Sequence, residues 1–316
     1  MAVTQAALDK ATQRKRLITQ IKGNYQLYII LLVPFVWIII FRYAPMYGAQ
    51  IAFRSYSVSR GIWGSEWVGL AHFQRFLTSY QFERVVLNTL MVSLYQLAAG
   101  FPFPIILALA LNSTNVFGLK KVVQTTTYIP HFISTVVMVA MVLQFLSPRI
   151  GVFNDIRKLF GLEVINFIAE PRYFRSIYVW SGVWQTSGWG SIIYLAALSG
   201  IDPSLHEAAT IDGASRLQRI RHIDIPGIMP TAVILLIINA GALMNVGFEK
   251  AFLLQNDLNL RASEIIQTYV YKVGLASAMA NYSYSTAIGL FNSVINLILI
   301  VSVNKIAGKL GETSLW

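Results

Sequence analysis

Six long apolar stretches separated by polar connections run along the chain, near Tyr25 to Phe41, Asn88 to Leu111, Val122 to Leu146, Ile177 to Ser199, Ile228 to Phe248 and Ala287 to Asn304. Most reach the roughly 20 residues that an α-helix needs to cross about 30 Å of hydrocarbon. The first is shorter and draws on the flanking Arg42 and Tyr43 as interfacial anchors. None of the six contains Asp, Glu, Lys or Arg, and His131 is the one histidine among them. The pattern predicts an all-α, polytopic membrane protein with about six transmembrane helices. Pro102, Pro104 and Pro130 are expected to kink their helices, while Gly182, Gly188 and Gly190 permit close helix contact.

Composition supports this reading. Of 316 residues, 55% are hydrophobic and 12% are charged, whereas a soluble domain carries about 25% charged residues. The formal net charge of +11 fits a chain that uses Lys and Arg to set topology and touch anionic headgroups, and nucleic acid is not an expected partner. Proton and ion relays place ionisable groups inside the bundle, so their absence from the apolar stretches argues against a proton-coupled carrier. With no cysteine, disulfides and thiolate chemistry are excluded.

Residues 1–24 carry Lys10, Arg14, Lys15, Arg16 and Lys22 against Asp9 alone. They read as a cytoplasmic segment before a retained first helix, with Ala7, Leu8, Ala11, Leu17, Ile18 and Ile21 spaced for a helix resting on the membrane surface. An even number of crossings then places both termini in the cytoplasm, including a tail at 307–316. The summed basic residues of the two sides do not decide orientation; the cluster beside the first helix does.

One polar connection differs from the rest. Between the fourth and fifth stretches, Gly200 to Gly227 reads as two short helices with a hinge. Asp202-Pro203 and the Ser204-to-Glu207 capping pattern both mark a helix start, two residues apart. Gly213 is expected to stop that helix, Ser215 to begin a second, and Pro226 to end it.

The run Glu207-Ala208-Ala209-Thr210-Ile211-Asp212-Gly213-Ala214, followed by Ile223-Asp224-Ile225-Pro226, resembles the EAA loop of permease subunits in binding-protein-dependent ABC importers. Ile220 stands where an aromatic residue is common in that loop, and Ile225 replaces Leu. Trp67-Val68-Gly69-Leu70 with Phe73, Ile129 to Ser134, and Tyr282 to Gly289 are similar to the sugar-permease branch with maltose-type architecture. The resemblance implies a permease domain over 25–306 that contains the coupling loop at 200–227. It also implies two separate ABC ATPase subunits that bind ATP and Mg, a second homologous permease, an extracytoplasmic solute-binding protein and a bacterial cytoplasmic membrane.

In that family the EAA helix docks in a cleft of the ATPase. Glu207, Ala208, Ala209, Asp212, Gly213 and Pro226 are the corresponding coupling residues here: a carboxylate for a basic partner, a shallow alanine face, and a fixed turn. Taken singly, each has a plainer reading, since Glu207 can cap its own helix, the alanines favour helix, and Gly213 is an ordinary helix stop. No G-x-x-x-x-G-K-[ST] phosphate loop occurs, so the chain itself is not expected to hydrolyse ATP. His206-Glu207 begins like a zinc-protease motif, yet Thr210 stands where the second histidine belongs, and no metal or other cofactor is expected in this chain.

Neutral polar and aromatic side chains hold sugars. Trp184, Gln185, Asn239, Asn245 and Asn292 are therefore the candidates for the substrate pathway, with helix-interface bonding as the plainer role of each. The branch implies oligosaccharides as cargo. Arg42, Arg54, Arg60, Arg75 and Arg84, facing only Glu66 and Glu83, suit acidic ones such as those derived from alginate, or an acidic patch on the binding protein. The alternatives are a permease for glycerol-phosphate or amino acids and, more remotely, a polytopic membrane transferase.

Overall fold

The computed structural model describes residues 19–309 except Asn115. The basic and amphipathic N-terminal pattern up to Ile18 and most of the C-terminal tail lie outside the described residues.

Helix α1 (Tyr25–Ile38) continues through tighter and wider helical turns as far as Phe53. It is apolar on every side and buries no residue. A two-stranded antiparallel hairpin follows, β1 (Arg54–Ser57) with β2 (Ser65–Trp67), pairing Arg54 with Trp67. After a short helix α2 (Ala71–Leu77), α3 (Tyr80–Gly100) and α4 (Pro102–Asn112) form one apolar span of 33 residues, broken at Phe101 where Pro102 opens the second part.

Helices α5 (Phe117–Tyr128) and α6 (Thr135–Phe145) make a bent pair, the chain turning by 104° between Phe132 and Thr135, directly after the tighter helical turn Ile129–Phe132 that extends α5. Pro130 has no N–H to donate and disrupts the helical ladder there. Two neighbours stabilise the corner. Gln185 donates its amide to the Ile133 carbonyl at 2.9 Å, and His131 stacks flat on Trp189 with centroids 4.6 Å apart. His131 is thus a packing residue.

After α7 (Val152–Leu159), the central helix α8 (Pro171–Ser199) runs for 29 residues against α3, α4 and α5. Among the described residues four helices are long and apolar enough to cross a membrane, or five with the bent pair. Helix α8, the expected fourth span, has the length but not that apolarity. It carries Ser181, Thr186, Ser187 and Ser191, each donating its hydroxyl to a carbonyl of its own helix, so their polarity is satisfied without a partner outside the helix.

The loop at 200–227 comprises α9 (Pro203–Ile211) and α10 (Arg216–Arg219), leading into α11 (Ile225–Gly241). The expectation that Pro226 ends the second helix is wrong, because Arg216 to Gly241 is continuously helical. A wide turn over Ile220–Asp224, in which the Ile225 N–H reaches back to the Ile220 carbonyl, lets Pro226 sit in the first turn of α11.

The fifth apolar stretch is not wholly helical either. Helix α11 stops at Gly241, the backbone unwinds through 242–247, and a short helix α12 (Phe248–Leu254) follows. Then come α13 (Leu260–Ser263), α14 (Ile266–Tyr271) and the last span α15 (Tyr282–Lys309), which lies against α11 and the end of the first span. One apolar core joins Val92, Met138, Val179 and Val183 to Ala251 and Ile265; another joins Ala108, Tyr194 and Leu198 to Ile228 beside the coupling loop.

Candidate functional site

The loop at 200–227, the candidate coupling element, is built from local rules that the residues obey closely. Asp202 caps α9, its carboxylate accepting the Ser204 N–H at 2.9 Å, so of the two competing start signals the Asp-Pro pair sets the boundary. That bond holds the Asp202 carboxyl below the usual carboxylate range. At the other end Gly213 has a φ of 78°, the left-handed conformation that glycine adopts most cheaply. The Ala214 N–H donates to the Ala209 carbonyl at 2.8 Å and the Gly213 N–H to Thr210 at 3.1 Å, the paired bonds of a Schellman stop. Ser215 then opens α10 with a reciprocal capping box to Gln218.

Helix α9 is fixed at both ends yet buries no residue. Leu205, Ala208 and Ile211, at helical spacing, form an exposed apolar stripe, with Ile211 88% accessible. Glu207 and Asp212 are exposed beside it. A short helix that keeps its apolar stripe in the open, against a stiff base, presents a surface for another protein.

The base of the loop connects to the bundle through Asp224, which is buried at the foot of α11. Its carboxylate lies 3.3 Å from His206 Nε2 on α9 and accepts from the Asn112 amide at the end of α4 at 3.4 Å. Arg219 donates to the Thr210 hydroxyl at 2.9 Å, tying α10 to α9, and Arg216 donates to the Ser113 carbonyl beyond α4. Displacing α9 therefore pulls on two spans through side chains that are already in contact.

A polar cleft lies deeper in the bundle, with a volume of about 280 Å³, lined by Gln96 of α3, Tyr178 of α8 and Asn239, Asn245 and Gly247 at the unwound end of α11. Irregular backbone inside a membrane bundle is tolerated where protein covers it or where it lines a cavity. Here the turn is pinned from several sides. Asn245 Oδ1 accepts from both Asn292 and Asn296 of α15 at 3.0 Å, the Met244 N–H donates to Asn296, and the Gly247 N–H donates to the Tyr178 hydroxyl.

The pathway candidates separate accordingly. Asn239 and Asn245 line this cleft and Asn292 braces Asn245 from behind. Trp184 sits among apolar side chains of α6 and α8, and Gln185 is engaged with the Ile133 carbonyl. Gln96, a polar residue within the second apolar stretch, and Tyr178 and Lys250 are not among the candidates drawn from sequence. Lys250, in α12, is buried, donates to the Tyr178 carbonyl at 2.5 Å and lies 4.5 Å over the Tyr178 ring. Its signal was a lysine two residues beyond an apolar stretch. The return of the chain into the bundle was not readable from that. A side chain at Gly182 would lie 2.9 Å from Lys250 Nζ and 3.3 Å from Gln96, so the glycine leaves both groups their space.

Among the described residues no group of three His, Asp or Glu is placed to hold a metal ion. Residues 100–311 match the family model described as the binding-protein-dependent transport system inner membrane component. The chain is 42% identical to the polygalacturonan/rhamnogalacturonan transport system permease protein YteP of Bacillus subtilis (strain 168), over 98% of this chain and 96% of that one. It is 40% identical to protein LplB of the same organism, over 94% and 92% of the two chains. In a crystal structure of a bacterial alginate ABC transporter in complex with an alginate pentasaccharide-bound periplasmic protein, one chain superposes with a TM-score of 0.86 at 40% identity, over 95% of this chain and all of that one. The exposed helix α9, its buried anchor and these likenesses lead to one assignment: the chain belongs to the membrane permease components of binding-protein-dependent ABC transporters and is a transport subunit, not an enzyme.

Proposed function

We propose that this chain forms one half of the membrane pathway of an ATP-driven importer for acidic oligosaccharides, working by alternating access. A second permease supplies the other half, two ABC ATPases bind ATP and Mg, and an extracytoplasmic binding protein delivers the sugar. The loop at 200–227 and both termini face the cytoplasm. The observation that carries the reading is α9, capped at both ends, exposed along an apolar stripe, and tied through His206 and Asp224 to the foot of α11. A helix so held passes the closure of an ATPase pair into the spans without bending.

The cargo class rests on two supports. The cleft offers neutral amides and a tyrosine, which suit sugar hydroxyls. Two of the relatives named above, YteP and the alginate transporter, are described as handling polygalacturonan and rhamnogalacturonan or alginate, all of them acidic polysaccharides.

In the reconstituted assembly Glu207→Lys is expected to leave membrane insertion intact and to abolish the ATPase stimulation produced by loaded binding protein. Stimulation at the wild-type level would remove Glu207 from the coupling surface. Titrating the binding protein with uronate oligosaccharides, glycerol-phosphate and amino acids separates the cargo classes.

A further inference from the structure

A second cavity, of about 610 Å³, lies at the end of the bundle opposite the coupling loop, where α3 and α8 begin. Its wall carries Arg84, Arg172, Arg175 and Arg261, with Glu83 as the one acidic lining residue. Two of the arginines are already neutralised: Arg84 pairs with the buried Glu264, which also faces Lys272 at 3.7 Å, and Arg172 lies 3.6 Å from Glu170. The other two have no acidic partner among the described residues. Arg175 rests on a neutral support, donating to Asn88 Oδ1 at 3.2 Å, while buried Asn88 donates in turn to the carbonyls of Arg261 and Glu264. The Nε atoms of Arg84 and Arg175 are enclosed and have no hydrogen-bond acceptor. The guanidinium groups of Arg175 and Arg261, which line the cavity without an acidic partner, suit a planar carboxylate bound through their terminal N–H donors.

The position of the cavity is as informative as its charge. Asn88, Val92 and Gln96 follow one another at four-residue intervals on α3, and Arg175, Tyr178 and Gly182 at three- to four-residue intervals on α8. Such residues share a helix face. The arginine cavity therefore lies one turn before the amide-lined cleft, on the same two helices, with the buried Lys250 beside that cleft.

We propose that this cavity is an entry subsite for the carboxylate of a uronate residue, bound by Arg175 and Arg261, before the sugar reaches the neutral amides. The proposal rests on the acidic-oligosaccharide reading above and adds its binding residues. Arg84 serves as the fixed wall, because its charge is engaged by Glu264.

The test uses the whole transporter in liposomes, with trigalacturonate and saturating binding protein. Arg175→Gln/Arg261→Gln, checked for wild-type assembly yield by size-exclusion chromatography, should import trigalacturonate about tenfold more slowly, the scale of one lost charge-assisted contact. The affinity of loaded binding protein for the transporter should remain within about twofold, and Arg175→Lys/Arg261→Lys should recover only part of the uptake, since the charge is kept but the paired N–H donors are lost. Unchanged uptake in the glutamine variant overturns the proposal. Equal losses of uptake and binding-protein affinity also overturn it, because the cavity then receives an acidic side chain of that protein. Wild-type transporter that imports no galacturonide refutes the cargo class itself, and that arm is read before any variant.

Discussion

A methyl group at Gly188 would lie 2.0 Å from the Thr127 carbonyl oxygen and 2.4 Å from its carbon, so α5 and α8 meet backbone to backbone at that point. A backbone carbonyl cannot swing aside as a flexible side chain can. Gly188→Ala is therefore expected to destabilise the detergent-purified chain by about 1–3 kcal/mol, the usual cost of overpacking, with a lower melting temperature. Gly118→Ala on α5 is the control, since nothing lies within 4 Å of the added carbon, and it should melt at or above the wild-type temperature. Equal melting of the two variants would contradict the close contact. At this scale the sequence conveyed that Gly182, Gly188 and Gly190 allow close approach, but not what approaches. Gly182 makes room for Lys250 and Gln96, Gly188 for a backbone, and Gly190 for the Pro104 ring. Those partners are distant in sequence, and no local pattern encodes them.

The elements were legible where their chemistry is local. Asp202, Gly213 and Ser215 each do in the structure what their side chains or lack of one dictate within a few residues. Legibility failed where a neighbouring element changes the outcome: at Pro226, which a wide turn absorbs into a continuing helix, and at 242–247, where amides from α15 make an unwound turn tolerable in a run that reads as span. The capping of α9 yields a pH prediction. The folded carboxyl of Asp202 titrates below its ordinary value, so the cap is intact above that value and is lost only as pH falls through the lowered one. Hydrogen exchange of the first α9 amides should thus be slow and steady across neutral pH, once corrected for intrinsic rates. It should be faster in Asp202→Ala and near the wild-type rate in Asp202→Asn, whose side-chain oxygen also caps. Equal protection in Asp202→Ala would show that the cap does not hold the helix.

For the whole molecule, the apolar pattern conveyed the class and most of the spans. It missed the polarity of α8, because hydroxyls such as those of Thr186 and Ser187 are satisfied by carbonyls of their own helix and so leave a membrane helix intact. The two candidate sites sit at opposite ends of that same helix: the arginine cavity near Pro171, the coupling loop just past Ser199. At 1.5 Å per residue, its 29 residues separate them by about 43 Å. The proposed sugar-entry and ATPase-contact sites thus lie at the two ends of one central rod, with the Asp224 anchor at the end that carries α9.

The account depends most on the side of the membrane that α9 faces and on what covers it. The chain has no cysteine, so Ala208→Cys creates a single thiol on the exposed face of α9. In intact cells a membrane-impermeant maleimide should leave that thiol unlabelled. In inside-out vesicles it should label the thiol when the ATPase subunits are absent and be blocked when they are assembled. Labelling in intact cells, or labelling unaffected by the ATPases, would contradict the coupling role assigned to this helix.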